Sequence, residues 1–255
     1  MTDTPRPLGF RFNDNRRALA AVAAALAIAL GGCAGKVREL MPTPAIERTL
    51  DGTALFSEVP KTRRGSDIDL LFITDRAPET AAEAELPYGQ QRSRSLAFGS
   101  AKVQLLPEMS WAELLRHSLA DPRTEQVAME LGEVRELGRY PHEPYLVRAT
   151  GNGVERDPII LGQHERAEAQ LQAEVQRRLA HAPSGQVLLF VHGFNETFAT
   201  GAYTAADLCH FFGRRHVCAF FTWPAEVGGN PLFAYTPVSY THLTLPTTGH
   251  GWSAG

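Results

Sequence analysis

The sequence predicts an α/β protein, a parallel sheet flanked by helices and preceded by a small β-rich N-terminal region. Three observations predict it. Val187–Val191 (VLLFV) and Val217–Thr222 (VCAFFT) are unbroken apolar runs, the pattern of strands buried on both faces. Residues 163–181 and 197–212 are rich in residues that form helices, and they alternate with those runs. Residues 68–74 (IDLLFIT) form a third apolar, β-branched run of strand length. Helix, strand, helix, strand in that order implies parallel pairing through crossover connections.

The chain has 255 residues, a net charge of −3, 44% hydrophobic residues and 21% charged residues. This balance excludes collagen-like, coiled-coil and wholly disordered classes. The mild acidity offers no broad basic surface for nucleic acid. Three cysteines are too few for a disulfide scaffold. No uncharged apolar run reaches the roughly 18 residues that an ordinary membrane span needs.

The first element is an address. Arg6, Arg11, Arg16 and Arg17 precede an uncharged apolar stretch, residues 18–30, as in a secretory signal. The stretch closes on Leu30-Gly31-Gly32-Cys33, which resembles a bacterial lipobox. That resemblance implies cleavage after residue 32 and acylation of Cys33, which becomes the new N-terminus. The expectation is a lipid-anchored protein of the bacterial cell envelope, facing the periplasm, with the membrane as one partner. Residues 33–66 hold Pro42, Pro44, Pro60 and Gly65 and read as a tether with an entry loop.

Residues 67–162 read as the β-rich region. The strand at 68–74 is stopped by Asp75-Arg76-Ala77-Pro78, and Tyr88-Gly89 and residues 92–99 read as loop. Residues 101–105 alternate as a half-exposed strand ending at Pro107. Residues 111–119 read as a short helix with Ser110 at its N-cap. Residues 127–137 fit helix or strand, and Tyr145-Leu146-Val147 is a short strand before the Gly151-Asn152-Gly153 turn. Residues 163–237 are the clearest part. Ala167, Leu171, Val175 and Leu179 recur every four residues as one apolar stripe. Phe198, Ala202, Ala205, Cys209 and Phe212 lie on one side of the second helix, which Gly213 stops.

The turn that carries chemistry is His192-Gly193-Phe194-Asn195. Ligands of open parallel sheets bind at the carboxyl ends of strands, and this turn lies at such an end and opens a helix. Gly193 lets the backbone turn and approach a ligand. The N–H groups at a helix start favour negative charge, a tetrahedral oxyanion among them. His192 has plainer readings too, as a cap or as packing under the loop.

The segments LLFVHGFNETFATGAYTAADL and CAFFTWP resemble an α/β-hydrolase family of unknown function, esterase- or lipase-like, marked by HGFN and FTWP. Upstream, ITDRAP, Pro87-Tyr88-Gly89 and residues 92–99 resemble the same family's N-terminal region. The resemblance implies a serine hydrolase acting on a small-molecule or lipid ester without a cofactor. It implies that 187–191 and 217–222 are the third and fourth strands, and that 192–195 form an oxyanion loop donating the Phe194 amide. His192 is then not the triad histidine, because in this fold the order is Ser, acid, His.

The rest of a triad is missing from the pattern. Gly251-Trp252-Ser253-Ala254-Gly255 fits G-x-S-x-G as text, but no apolar strand precedes Ser253. Residues 238–255 (beginning VSYTHLTLPTT) read as a non-native tail, similar to translated adapter sequence. The chain is therefore expected to be the N-terminal part of an incomplete α/β-hydrolase-type sheet, carrying the oxyanion loop alone. The alternative is a non-catalytic envelope lipoprotein that uses the fold for binding. The histidines at 181, 192, 210 and 216 lack metal-site spacing, so no metal is expected. Cys209 and Cys218 can form a disulfide or remain two buried thiols. Glu196 can tune an oxyanion site or stabilise the first helical turn.

Overall fold

The structure is a computed structural model that describes residues 37–45, 52–80, 86–142 and 146–225. Cys33 and Ser253 lie outside the described residues, as do residues 226–255. The elements below belong to one unit, Arg38–Gly255. In chain order they are α1 (Gly52–Ser57), β1 (Asp67–Pro78), β2 (Tyr88–Leu106), α2 (Trp111–Leu119) and β3 (Ala128–Arg139). Then follow β4 (Val147–Thr150), β5 (Gly153–Arg156), α3 (Pro158–Leu179), β6 (Val187–Val191), α4 (Phe198–Phe211) and β7 (Val217–Thr222). Among the described residues no helix is long and apolar enough to cross a membrane.

Among the described residues five strands form one mixed sheet in the order β3-β2-β1-β7-β6, and β4 and β5 pair as a separate hairpin. β1–β2 and β2–β3 are antiparallel, whereas β1–β7 and β7–β6 are parallel. The β-rich region and the segment from 163 onward thus contribute to a single sheet. Its two faces carry different helices. Phe72 meets Phe198 of α4, and Asp69 meets Arg178 of α3. Residues 69 and 72 alternate to opposite faces of a regular strand, so α3 and α4 lie on opposite sides.

The core lies between the sheet and α4. Leu70, Phe72, Ala101, Val103, Cys218 and Phe220 supply the sheet side. Leu40, Phe56 and Val59, from the stretch with a tether-like composition, are buried in the same cluster. Met41 donates its backbone N–H to Asp207 of α4 at 2.9 Å, which fixes this stretch to the helix.

Several elements differ from expectation for physical reasons. Tyr88-Gly89 and residues 92–99 are not loop; they extend β2 to 19 residues. Arg92 and Arg94 face outward along this strand, while Tyr88, Ser95 and Ala97 are buried, and it pairs with β1 at Arg76–Arg92 and Pro78–Tyr88. The ambiguous 127–137 stretch is strand, paired on one side with β2. α3 begins at Pro158, where Asp157 accepts the Ile159 N–H at 2.8 Å. β6 is not buried on both faces. Val187, Leu189 and Val191 are 42%, 52% and 55% exposed. Among the described residues β6 is the last strand of the sheet, and α3 packs over β3 and β7 instead. Ser110 caps α2 as expected, in a capping box with Glu113.

Two features tie α4 to β7. Cys209 and Cys218 are joined as a disulfide nine residues apart, with their α-carbons 5.8 Å apart. Between them Gly213 has φ of +75°, and a Cβ there would lie 2.6 Å from the Leu55 carbonyl oxygen. Gly213→Ala is expected to destabilise the protein by about 1–2 kcal/mol, read as a lower urea midpoint. Reducing the disulfide, or replacing both cysteines with alanine, is expected to cost about 2–3 kcal/mol, because so short a loop limits the entropy gained on opening. Urea melts with and without reductant check this; coincident curves would show that the bridge contributes no stability.

Candidate active site

β1, β7 and β6 run in the same direction, so their carboxyl ends lie side by side. Those ends carry Thr74 and Arg76, Thr222, and the 192–195 loop. The loop leads into α4 through Thr197, whose hydroxyl accepts the Thr200 N–H while Thr200 reciprocates. Phe198, the first residue of α4, is buried against Phe72, Tyr88 and Phe220. The helix start is therefore fixed by a cap outside and an aromatic anchor inside.

His192 is buried beneath the loop, and its hydrogen bonds determine its tautomer. The Trp223 backbone N–H donates to Nε2 at 3.0 Å, so Nε2 carries no proton. Nδ1 then carries it and donates to the Gly193 carbonyl at 2.7 Å. The Thr222 hydroxyl lies 2.9 Å from Nε2 and itself receives the Arg76 Nε–H at 2.8 Å, so its proton is directed at Nε2. The indole of Trp223 stacks on the imidazole at 5.4 Å. Burial pushes the His192 pKa below its usual value, and the Arg76 charge adds to that, while the bond to Gly193 and the charge of Glu196 oppose it. A neutral ring whose free nitrogen already accepts is poorly suited to general-base catalysis; it braces the loop.

The loop residues differ among themselves. Gly193 is exposed, with open space where a side chain would begin. Phe194 is half-buried. Asn195 has φ of +60°, and its N–H donates to the Ala225 carbonyl at 3.1 Å, joining the loop to the chain after β7.

Arg76 was not legible as part of the site. It reads as the charge that stops a strand, yet it is completely buried. Besides Thr222 it donates to the Gly89 carbonyl (2.9 Å), the Gln90 side chain (2.8 Å) and the Glu196 carbonyl (2.6 Å). Thr74 supports it, accepting the Arg76 N–H at 3.0 Å and donating to the Thr222 carbonyl at 2.8 Å. The one available signal was the ITDR string itself, a charge placed directly after an apolar run.

A serine–histidine pair elsewhere in the core is structural. Ser118 Oγ lies 2.7 Å from His210 Nε2 in the core. Arg214 donates to His210 Nδ1 at 3.0 Å, so Nε2 holds the ring proton and points it at Ser118. Ser118 in turn donates to the Leu114 carbonyl at 2.6 Å. The proton order is the reverse of what an activated serine needs. A groove of about 400 Å³ opens elsewhere, beside Asp69, Lys102, Glu133 and Arg178 near the start of β1. Its charges are largely paired, Arg178 with Asp69 and Glu174, and Lys102 with Glu133.

Residues 167–237 match the model of a family described as an alpha/beta hydrolase of unknown function (DUF900). The match takes in most of α3, β6, the 192–195 loop, α4 and β7. No curated protein and no solved structure matches the chain.

Proposed function

We propose, from the match of residues 167–237 to an alpha/beta hydrolase family, that the protein is part of a serine hydrolase cleaving an ester or related acyl bond. The observation that carries this reading is the loop at the ends of β6 and β7, braced from below and opening α4. In this reading the 192–195 loop holds the oxyanion of the tetrahedral intermediate, with the Phe194 amide as donor. The nucleophile, acid and base come from chain outside the described residues. The substrate is a small-molecule or lipid ester.

The lipobox-like sequence supports a further part of the reading, an anchor on acylated Cys33 at the bacterial envelope. The Cys209–Cys218 disulfide supports an oxidising compartment such as the periplasm.

A fluorophosphonate probe on the native full-length protein tests the catalytic reading, because only an activated serine reacts. Labelling, mapped by peptide mass spectrometry, identifies the nucleophile; labelling at Ser253 would make its G-x-S-x-G string a true elbow. No labelling, with no hydrolysis of acyl esters, would leave a binding role. Metabolic labelling with palmitate, lost in Cys33→Ser, tests the anchor.

A further inference from the structure

We infer that Arg76 is a positioning residue for the 192–195 loop: from beneath, its guanidinium holds the Glu196 carbonyl and, through the Thr222 hydroxyl, the His192 ring. The catalytic consequence rests on the oxyanion-loop reading above; the positioning itself does not.

A buried guanidinium loses several kcal/mol of hydration unless its donors are satisfied. Arg76 recovers this through oxygens on three elements. Gly89 and Gln90 belong to β2, Thr222 ends β7, and Glu196 lies between the loop and α4. β2 and β7 flank β1 on either side. The planar fork therefore spans the sheet and reaches the loop beside it. Lysine has no such fork, since its ammonium is a single point of charge.

The loop is thereby held at both ends. At its start, the His192 ring receives the Thr222 hydroxyl and the Trp223 N–H, and returns its own proton to Gly193. At its end, Glu196 is held directly by Arg76. Gly193, Phe194 and Asn195 lie between these two supports. Oxyanion donors are effective when their geometry is set before the reaction begins. Misplacement by about 1 Å can cost roughly 10²-fold in rate.

The test uses the ¹⁵N-labelled full chain and reads His192 and the loop by NMR. The charged groups facing His192 are Arg76 from β1 and Glu196 from the loop. Thr222→Val keeps the shape and removes the hydroxyl. Its His192 protonation midpoint is expected to rise by about half a unit or more, and the Gly193 and Asn195 amide resonances to move. Thr222→Ser restores both. Arg76→Lys keeps the charge and loses the fork, so the loop amides move and the midpoint rises less than in Arg76→Met. Arg76→Met raises the midpoint and moves the amides together. If Arg76→Met fails to fold, the Thr222 pair and Arg76→Lys decide the matter.

Folded Thr222→Val and Arg76→Lys proteins with unmoved loop amides and an unmoved His192 would overturn the inference. These readouts need no turnover. Loop shifts as expected, with a native full-length protein that ignores fluorophosphonate, would sink the hydrolase reading and leave the positioning role intact. Where esterase activity is present, Arg76→Lys is expected to lower kcat about 10–100-fold with KM little changed; an unchanged kcat would separate the loop from the chemistry.

Discussion

Phe72→Ala is expected to lower stability by about 3–5 kcal/mol, measured as a reduced urea midpoint at unchanged m-value. Phe72 is completely buried in the middle of β1. Its ring meets Tyr88 at 5.4 Å, Phe198 at 5.3 Å and Phe220 at 6.4 Å. Gly99 on β2 lies beneath it, where a Cβ would come within 2.6 Å of the ring. Strands on both sides are held by ladder hydrogen bonds, so the site collapses little and most of the cavity remains. The effect reaches the loop, because Phe198 loses a neighbour and opens α4 directly after it. Leu189→Ala is the control. Leu189 is 52% exposed, so its loss should cost no more than about 0.5 kcal/mol. A small effect at Phe72 together with a large one at Leu189 would mean that the sheet is packed from the other side.

What the sequence disclosed follows from which forces are local. The strands at 187–191 and 217–222, the helix between them and the Gly213 stop were legible because continuity, helical spacing and capping act over a few residues. Ser110 was legible as a cap for the same reason. The exposure of Val187, Leu189 and Val191 was not. Whether an apolar strand is central or peripheral is decided by pairings far away in the chain, here β7 with β1. The length of β2 was hidden because Arg92 and Arg94 mark loops in sequence yet alternate outward along a real strand. The site divided the same way. His192, Gly193 and Phe194 follow an apolar run and were legible as a turn at a strand end. Arg76 and Thr222 join that site only because β1 and β7 are neighbours, which no spacing within either strand reveals. Cys209 and Cys218 stood open between bridge and thiols until the return of the chain from α4 into β7 brought them together.

Acid should destabilise the protein well before its carboxylates titrate. His210 is completely buried, and burial together with the charges of Arg214 and Arg123 holds its pKa well below the usual value. Its Nδ1 already accepts from Arg214, so a second ring proton would set two donors against each other. His192 is also held low by burial. In the unfolded chain both histidines protonate near pH 6.5. Below that pH the unfolded state binds more protons than the folded one, and stability falls as pH falls. A histidine that stays neutral in the folded state contributes about 1.4 kcal/mol per pH unit below its unfolded pKa, so His210 sets most of the loss and His192 adds to it in the same direction. His216, lowered by burial and then by Arg215 and Arg63, acts in the same direction. Asp75 and Asp207 oppose the trend toward the lower end of the range. Burial raises both, so the folded state takes up their protons first and gains stability as pH falls toward their unfolded value. Urea melts at pH 7 and pH 5 measure the net change. His210→Gln separates its source: the variant starts less stable but loses less on acidification. Equal losses in the wild type and in His210→Gln would mean that the His210 ring is not held neutral.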